Sequence, residues 1–490
     1  MSNLWSVKSV RLRVACCIAL ALTIEGLMRS NLNMAIVCMM NSSAVVENVS
    51  TIATQNVSTR SDSCPLLQIG GTRKVKHNGN LYWTSQEKAI IFASFYLGGF
   101  FATVATEKLN RLIGATKLVL YGAIVNVIGT FMTPFVAQTI GPVPLVLVRF
   151  VMGFGQGLLW PCMSVLIAQW FPTTEKSTAL AIATTGNQLS VIIAMFATAE
   201  LCQLSLGWPM AFHTYGVFGI FLCVVWYIFV FDTPADTPYI SQSELTYITN
   251  NRQQRTQKAN WPVLLTSKVI WSIAASSFAH TYITVGIVTY LPSYYNTVLN
   301  MSLTSNGLMS ALPFVAQLVS KVLYAGFADE ARKRKWISFN AVTKISNSSA
   351  SFGMGICFAL LCFCDCSNRY AAVFLICVAM AFVSGYIPGY NTSVVTVAPS
   401  QTAAIASFSR IFAQLAASLA PYHIGATTKL GLFEEWRNVF VAISIMCFVT
   451  GIFFHCCVDD EINGLDTTSR KTTTELVQQE LIDDTKCTSA

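Results

Sequence analysis

The chain has 490 residues, of which 53% are hydrophobic and only 11% charged, and it carries a formal net charge of +8. Soluble domains carry about 25% charged residues, so this composition excludes a soluble globular protein and points to a polytopic membrane protein. The positive charge lies mostly in short loops between apolar runs, as membrane topology requires, and no nucleic-acid partner is expected.

A membrane helix needs about 20 mostly apolar residues. In chain order, such runs cover roughly 14–40, 88–106, 116–138, 142–168, 177–203, 209–231, 269–292, 304–328, 343–364, 370–397, 402–425 and 437–457. They predict an all-α protein of twelve transmembrane spans in two six-helix halves. Residues 1–13 form a cytoplasmic N-terminus, 14–231 the first half, 232–268 a cytoplasmic linker, 269–457 the second half and 458–490 a cytoplasmic tail. The first run continues through Met40, too long for the apolar core of a cleavable signal peptide.

Basic residues set the orientation. Lys8, Arg11 and Arg13 before span one, Lys108, Arg111 and Lys117 after span two, Arg252, Arg255 and Lys258 in the linker, and Arg332, Lys333, Arg334 and Lys335 after span eight all fall on one side. That side is read as cytoplasmic. The 41–86 loop falls on the other side, and it holds glycosylation sequons at Asn41, Asn48 and Asn56, with another at Asn300 after span seven. Sequons at Asn347 and Asn391 fall within spans nine and ten and read as chance.

The 16 cysteines are mostly in apolar runs and read as small buried hydrophobes. Cys362, Cys364 and Cys366 have a weakly metal-like spacing but no partner histidine pair, so no metal and no cofactor is expected. Cys64 could form a disulfide if its loop is outside.

Charged residues inside spans carry the functional signal. In "TIEGLMRSNLNMAIVCMM", Glu25, Arg29 and Asn33 are each four apart and share one helix face. An arginine at mid-membrane costs about 2.5–3.5 kcal/mol on insertion scales, so such ions usually face a pathway. Glu25 either neutralises Arg29 or serves it in coupling. Span four carries Arg149 and Gln156 on one face, although Arg149 lies close to the start of its span and could sit at the outer interface. Span seven carries Ser276, His280 and Thr284, and a lone His280 is more often a packing residue than a ligand. Span eleven carries Ser407, Arg410, Gln414 and Ser418, while Lys321 in span eight is read as reaching for the membrane interface. If Arg29, Arg149 and Arg410 converge, the cavity is strongly cationic and suits carboxylate or phosphate. There is no P-loop lysine motif, no G-x-S-x-G and no zinc signature, so ATP use and hydrolysis have no support and no enzyme is expected.

These residues resemble the anion:cation symporter family of the major facilitator superfamily, which includes sialin, the vesicular glutamate transporters and the sodium-phosphate cotransporters. "RSNLNMAIVCMMN" is similar to its first-span motif, "SFYLGGF" to its second and "RFVMGFGQGLLWP" to its fourth, followed by "WFPTTEKS". "DTPADTPYIS" looks like its linker, and "NGLMSALP", "APS" and "EEW" keep the second half in register. The resemblance covers about residues 14–460. It implies the major facilitator fold, with Arg29 and Arg149 as substrate anchors. Departures also matter: Gln156 stands where the family has a proton-linked Glu, and Phe92 and His280 stand where glutamate transporters have a His and an Arg.

The expected function is secondary active transport of a small organic or inorganic anion by alternating access, coupled to an ion gradient or membrane potential. The alternative is an anion channel or anion-sensing transceptor in the same fold. Asn33, Gln156, His280 and Arg410 join the two arginines as substrate-binding candidates, and Glu25 is the coupling candidate. The expected partners are the anion, a co-transported sodium ion or proton and the lipid bilayer, with the chain a monomer. The membrane is the plasma membrane or a lysosomal or vesicular one, since Glu480-Leu481-Ile482 is an imperfect sorting signal that does not choose between them.

Overall fold

The computed structural model describes residues 9–41, 79–172, 175–250, 261–334, 336–398 and 401–458. Among them the chain is helical almost throughout, with one isolated backbone bridge between Met40 and Leu81. Twelve long helical segments follow one another: Val10–Met39, Ser85–Ile113, Ala115–Thr139, Pro142–Trp170, Lys176–Leu201, Pro209–Phe229, Lys268–Thr297, Leu303–Lys333, Phe339–Leu361, Cys366–Thr396, Thr402–Thr427 and Phe433–Cys457. They are called spans one to twelve. In a bilayer only a helix satisfies every backbone group within its own segment, which is why apolar runs of this length fold this way.

Eight helices among the described residues are long and apolar enough to cross a membrane by length and composition. Spans one, seven, nine and eleven are not among the eight. The reason is polar content: Glu25, Arg29, Asn31 and Asn33 lie in the first, Ser276 and His280 in the seventh, Asn347 in the ninth, and Arg410 and Gln414 in the eleventh. Such spans are stable in a membrane only when packed against other helices.

Several ends are closed by local chemistry. Thr84 and Glu87 form a reciprocal capping box at the start of span two. Gly114 turns the chain between spans two and three at φ +93°, with the Asp232 carboxylate against it. That carboxylate accepts from the Thr116 amide at 2.9 Å, tying the end of span six to the start of span three.

Three features were not legible in the sequence. The linker contains helices at Gln242–Asn250 and Trp261–Thr266. Span four is interrupted at Leu158. Span ten is broken between Ser384 and Asn391, where a tight turn at Ser384–Tyr386 runs into a widened turn at Ile387–Asn391 that contains Gly389, whose ψ of −124° is not helical. Breaks of this kind in a membrane helix collect at functional sites.

Two hydrophobic cores organise the bundle. One belongs to the first half and includes span-one residues from Val10 to Met28. The other joins both halves and takes span-one residues from Leu32 to Met39 together with spans seven to twelve. Span one therefore changes partners between Met28 and Leu32.

Candidate functional site

Arg29 sits at that changeover. Below it, Gly26 lets span one approach Ser190 of span five so closely that a Cβ would collide with the serine side chain. Spans one and five run in the same direction, with Gly186 against Ala19 and Gly26 against Ser190, so Arg29 meets Asn187 by running its side chain back toward the start of span one. The Arg29 guanidinium donates to Asn187 Oδ1 at 3.1 Å, while its Nε has no partner.

Arg149 is placed by the same device. Gly153, one turn on, lies against the Phe95 carbonyl of span two, where no Cβ would fit. The Arg149 guanidinium then lies over the Phe95 ring at 4.6 Å. Its only hydrogen bond among the described residues is a long one, to the Arg29 carbonyl at 3.4 Å. Arg149 is 2% exposed, and its Nε and one Nη have no partner. Tight packing of spans two and four thus draws the Arg149 side chain into the bundle, near the outer end of span four.

Phe95 belongs to a stripe on span two that faces the second half. Phe92, one turn earlier, meets Tyr290 edge-on at 5.6 Å, and Thr103, two turns on, accepts from Gln414 at 3.2 Å. Arg149, over Phe95, therefore lies close to the seam between the halves, with Arg29 beside it. Burying an ion without a partner costs several kcal/mol, and orphan guanidinium N–H groups point to a missing acceptor. Asn31 and Asn33 of span one add further unpartnered amide groups, and Gln156 of span four adds an unpartnered carbonyl. Chemically, this arrangement can receive an oxyanion through several N–H donors at once.

Glu25 faces elsewhere. Its Oε2 accepts from Asn126 of span three at 2.8 Å, and its Oε1 has no partner. No ion pair joins it to Arg29 among the described residues. Shared helix face is not shared partner: the 40° drift per step turns Glu25 toward span three and Arg29 toward span five. The reading in which Glu25 neutralises Arg29 by direct pairing is corrected accordingly.

His280 accepts from or donates to the Tyr390 hydroxyl at 2.8 Å, at the break in span ten. Its ring lies 5.1 Å from that of Tyr386 and 5.9 Å from that of Tyr390. Asn347 of span nine accepts from the Tyr390 amide at 3.2 Å, so its sequon lies on a fully buried side chain. Ser276 and Thr284, on the His280 stripe, keep unpartnered hydroxyls.

Arg410 does not converge with the other two arginines. It lies eight residues from the start of span eleven, about 12 Å from the linker-side end, whereas Arg149 lies about 11 Å from the opposite end of span four. Its guanidinium covers the Trp160 ring at 4.9 Å. Lys321 is also corrected: it donates to Thr184 of span five at 3.1 Å instead of reaching for the membrane interface.

The partners Asn126, Asn187, Phe95, Trp160 and Tyr390 escaped the sequence reading. Asn126 and Asn187 carried the same signal as Arg29, a polar side chain inside an apolar run; the aromatic ones carried none. Asn48, Asn56 and Cys64 lie outside the described residues; Asn41 donates to the Tyr82 hydroxyl at 2.9 Å, and Asn300 is in a loop at φ +50°. No group of three or more metal-ligating side chains occurs among the described residues. Cys362 and Cys364 are free thiols that donate to backbone carbonyls.

A family model described as the Major Facilitator Superfamily matches residues 18–346. Sodium-dependent phosphate transport protein 3 of Mus musculus is 27% identical over 435 residues, which is 87% of this chain and 89% of that protein. A protein described as a probable small intestine urate exporter, also of Mus musculus, is 27% identical over 377 residues, 76% of each chain. Among solved structures, a bacterial homolog of the human lysosomal transporter Spinster superposes with a TM-score of 0.62 at 12% identity, over 94% of this chain and 99% of that one. At that identity the likeness is one of fold.

Proposed function

The chain belongs to the major facilitator superfamily, as a multi-pass integral membrane protein, and from that premise we propose that it carries a small anion across its membrane by alternating access, with Arg29 and Arg149 as the anchors. The observation that carries this reading is the pair of buried guanidinium groups at the seam, with three N–H positions lacking any acceptor. Two relatives are named for phosphate and for urate. These anions share charge and acceptor oxygens but not shape, so the reading extends to the class of small anions.

The two halves rock about the central site, as in transporters built from repeated halves. Glu25 and His280 are the coupling candidates, because Gln156 cannot ionise. A sodium ion or the membrane potential can serve instead, since each charge moved is worth about 2.3 kcal/mol per 100 mV. The linker and tail lie in the cytoplasm, the 41–86 loop lies outside or in a lumen, and the chain works as a monomer.

The test is uptake of labelled phosphate and urate into proteoliposomes under an imposed sodium gradient, proton gradient or voltage. Concentrative uptake of at least one anion under one gradient is expected. Ohmic current with no concentrative uptake would identify a channel instead.

A further inference from the structure

Three side chains of the second half reach across to the first in the linker-side part of the bundle, away from Arg29 and Arg149. Gln414 of span eleven donates to Thr103 at 3.2 Å and lies 3.5 Å from the Gly99 carbonyl. Arg410, one turn nearer the linker, covers Trp160 at 4.9 Å. Lys321 of span eight donates to Thr184 at 3.1 Å. At the other end of the seam the halves meet separately: Ser85 donates to the Lys429 carbonyl at 3.0 Å, and Gln203 donates to Thr304 at 2.9 Å. The arginine anchors thus lie between two sets of cross-half contacts.

The linker-side set is chemically unusual. Two of its members are cations, yet neither forms an ion pair among the described residues. Arg410 rests on a ring face and Lys321 on a hydroxyl. A ring face and a neutral hydroxyl hold a cation weakly, and hydrogen bonds to an ionised acceptor are roughly twice as strong as neutral ones. An oxyanion arriving from either direction can therefore displace both partners, and among the described residues these are the polar contacts by which the two cations join the halves.

We propose that Gln414, Arg410 and Lys321 form a linker-side gate, and that Arg410 and Lys321 make it a second, transient station for the transported oxyanion. The proposal rests on the transport reading above. It removes Arg410 from the central anchor and gives it a separate role, in which the anion opens the gate by taking the cations from Trp160 and Thr184.

The test uses full-length protein in detergent with Thr103→Cys as a reporter, its maleimide labelling rate followed at that position by mass spectrometry. Inorganic phosphate is expected to raise the rate. The rise should survive Arg149→Ala, which removes the central anchor, and should vanish in Arg410→Gln/Lys321→Gln. Trp160→Leu, which leaves both cations in place, should raise the rate without phosphate by between about twofold and about thirtyfold, the range a cation–π contact supports. A phosphate response that is absent with Arg149→Ala, or that persists when both cations are gone, overturns the gate. So does a rate in Trp160→Leu equal to that of its parent. Failure of transport in proteoliposomes with an intact phosphate response would instead remove the central-anchor reading alone.

Discussion

Arg149 of span four donates to the main-chain carbonyl of Arg29 in span one, 3.4 Å away, and finds no other hydrogen-bond acceptor among the described residues. Two like charges from different spans are thereby held at one point of the seam, with no acidic side chain ion-paired to either. Folding alone gives no reason for this arrangement. Binding of an anion does.

That argument predicts opposite effects on stability and binding. Replacing a buried ion by an apolar side chain of similar volume is often stabilising by about 1–4 kcal/mol. Arg149→Met should therefore melt at a higher temperature than the wild type in detergent without anion, while losing phosphate binding by tenfold or more, since each hydrogen bond to a charged group is worth about 1.5–3 kcal/mol. Lysine at this position should restore little, because it lacks the planar fork. A lower melting temperature for Arg149→Met would mean that the arginine has a structural partner.

The contact between spans two and four gives a second prediction. Gly153 lies against the Phe95 carbonyl with no room for a Cβ. Gly153→Ala should push the spans apart at a cost of about 1–3 kcal/mol and shift Phe95 from beneath Arg149. Thermal unfolding and phosphate affinity should both fall. Unchanged affinity with reduced stability would show that Phe95 does not help to orient the guanidinium.

How far the sequence alone reached can be judged from these residues. The long helices were legible because hydrocarbon thickness and backbone satisfaction leave few alternatives for apolar runs. Arg29 and Arg149 were legible because charge inside such a run is rare. Partner choice was not. The period that put Glu25 and Arg29 on one face could not tell that Asn126 would take the first and Asn187 the second. Nor did periodicity give depth, so Arg410 was grouped with arginines that lie toward the other end of the bundle. The linker helix was missed because it is short and mostly polar, held in place by side chains far away in the chain.

Those distant contacts support a third prediction. Glu244 of the linker helix accepts from Ser9 Oγ at 3.0 Å, from the Val10 and Arg11 amides at 3.3 Å each, and from Arg11 Nε at 3.0 Å. Its carboxylate thus caps the N-terminus of span one, where a negative charge meets the positive end of the helix dipole. Arg11 is also paired with Glu175. Glu244→Ala should destabilise the protein by about 1–3 kcal/mol, whereas Glu244→Gln, which keeps an acceptor oxygen, should lose less. Equal melting of Glu244→Ala and the wild type would release the linker helix from this role.

Coupling supplies a fourth. Glu25 has one oxygen on Asn126 and one unpartnered. If it carries a proton through the cycle, Glu25→Gln should keep the Asn126 bond and fold normally, yet lose the dependence of uptake on pH. Gln156→Glu should add a dependence. Uptake measured from pH 5 to 8 at clamped voltage decides this; an unaltered profile in Glu25→Gln moves the coupling role to His280.

The central claim is that Arg29 and Arg149 form the anion anchor of a carrier, and counterflow tests it most directly. Proteoliposomes are preloaded with unlabelled phosphate or urate, labelled anion is added outside, and no other gradient is present. The account predicts transient accumulation of label by the wild-type protein with at least one of the two anions, and none by Arg149→Ala or Arg29→Ala protein reconstituted to the same level. Accumulation by either alanine variant at the wild-type rate would contradict it.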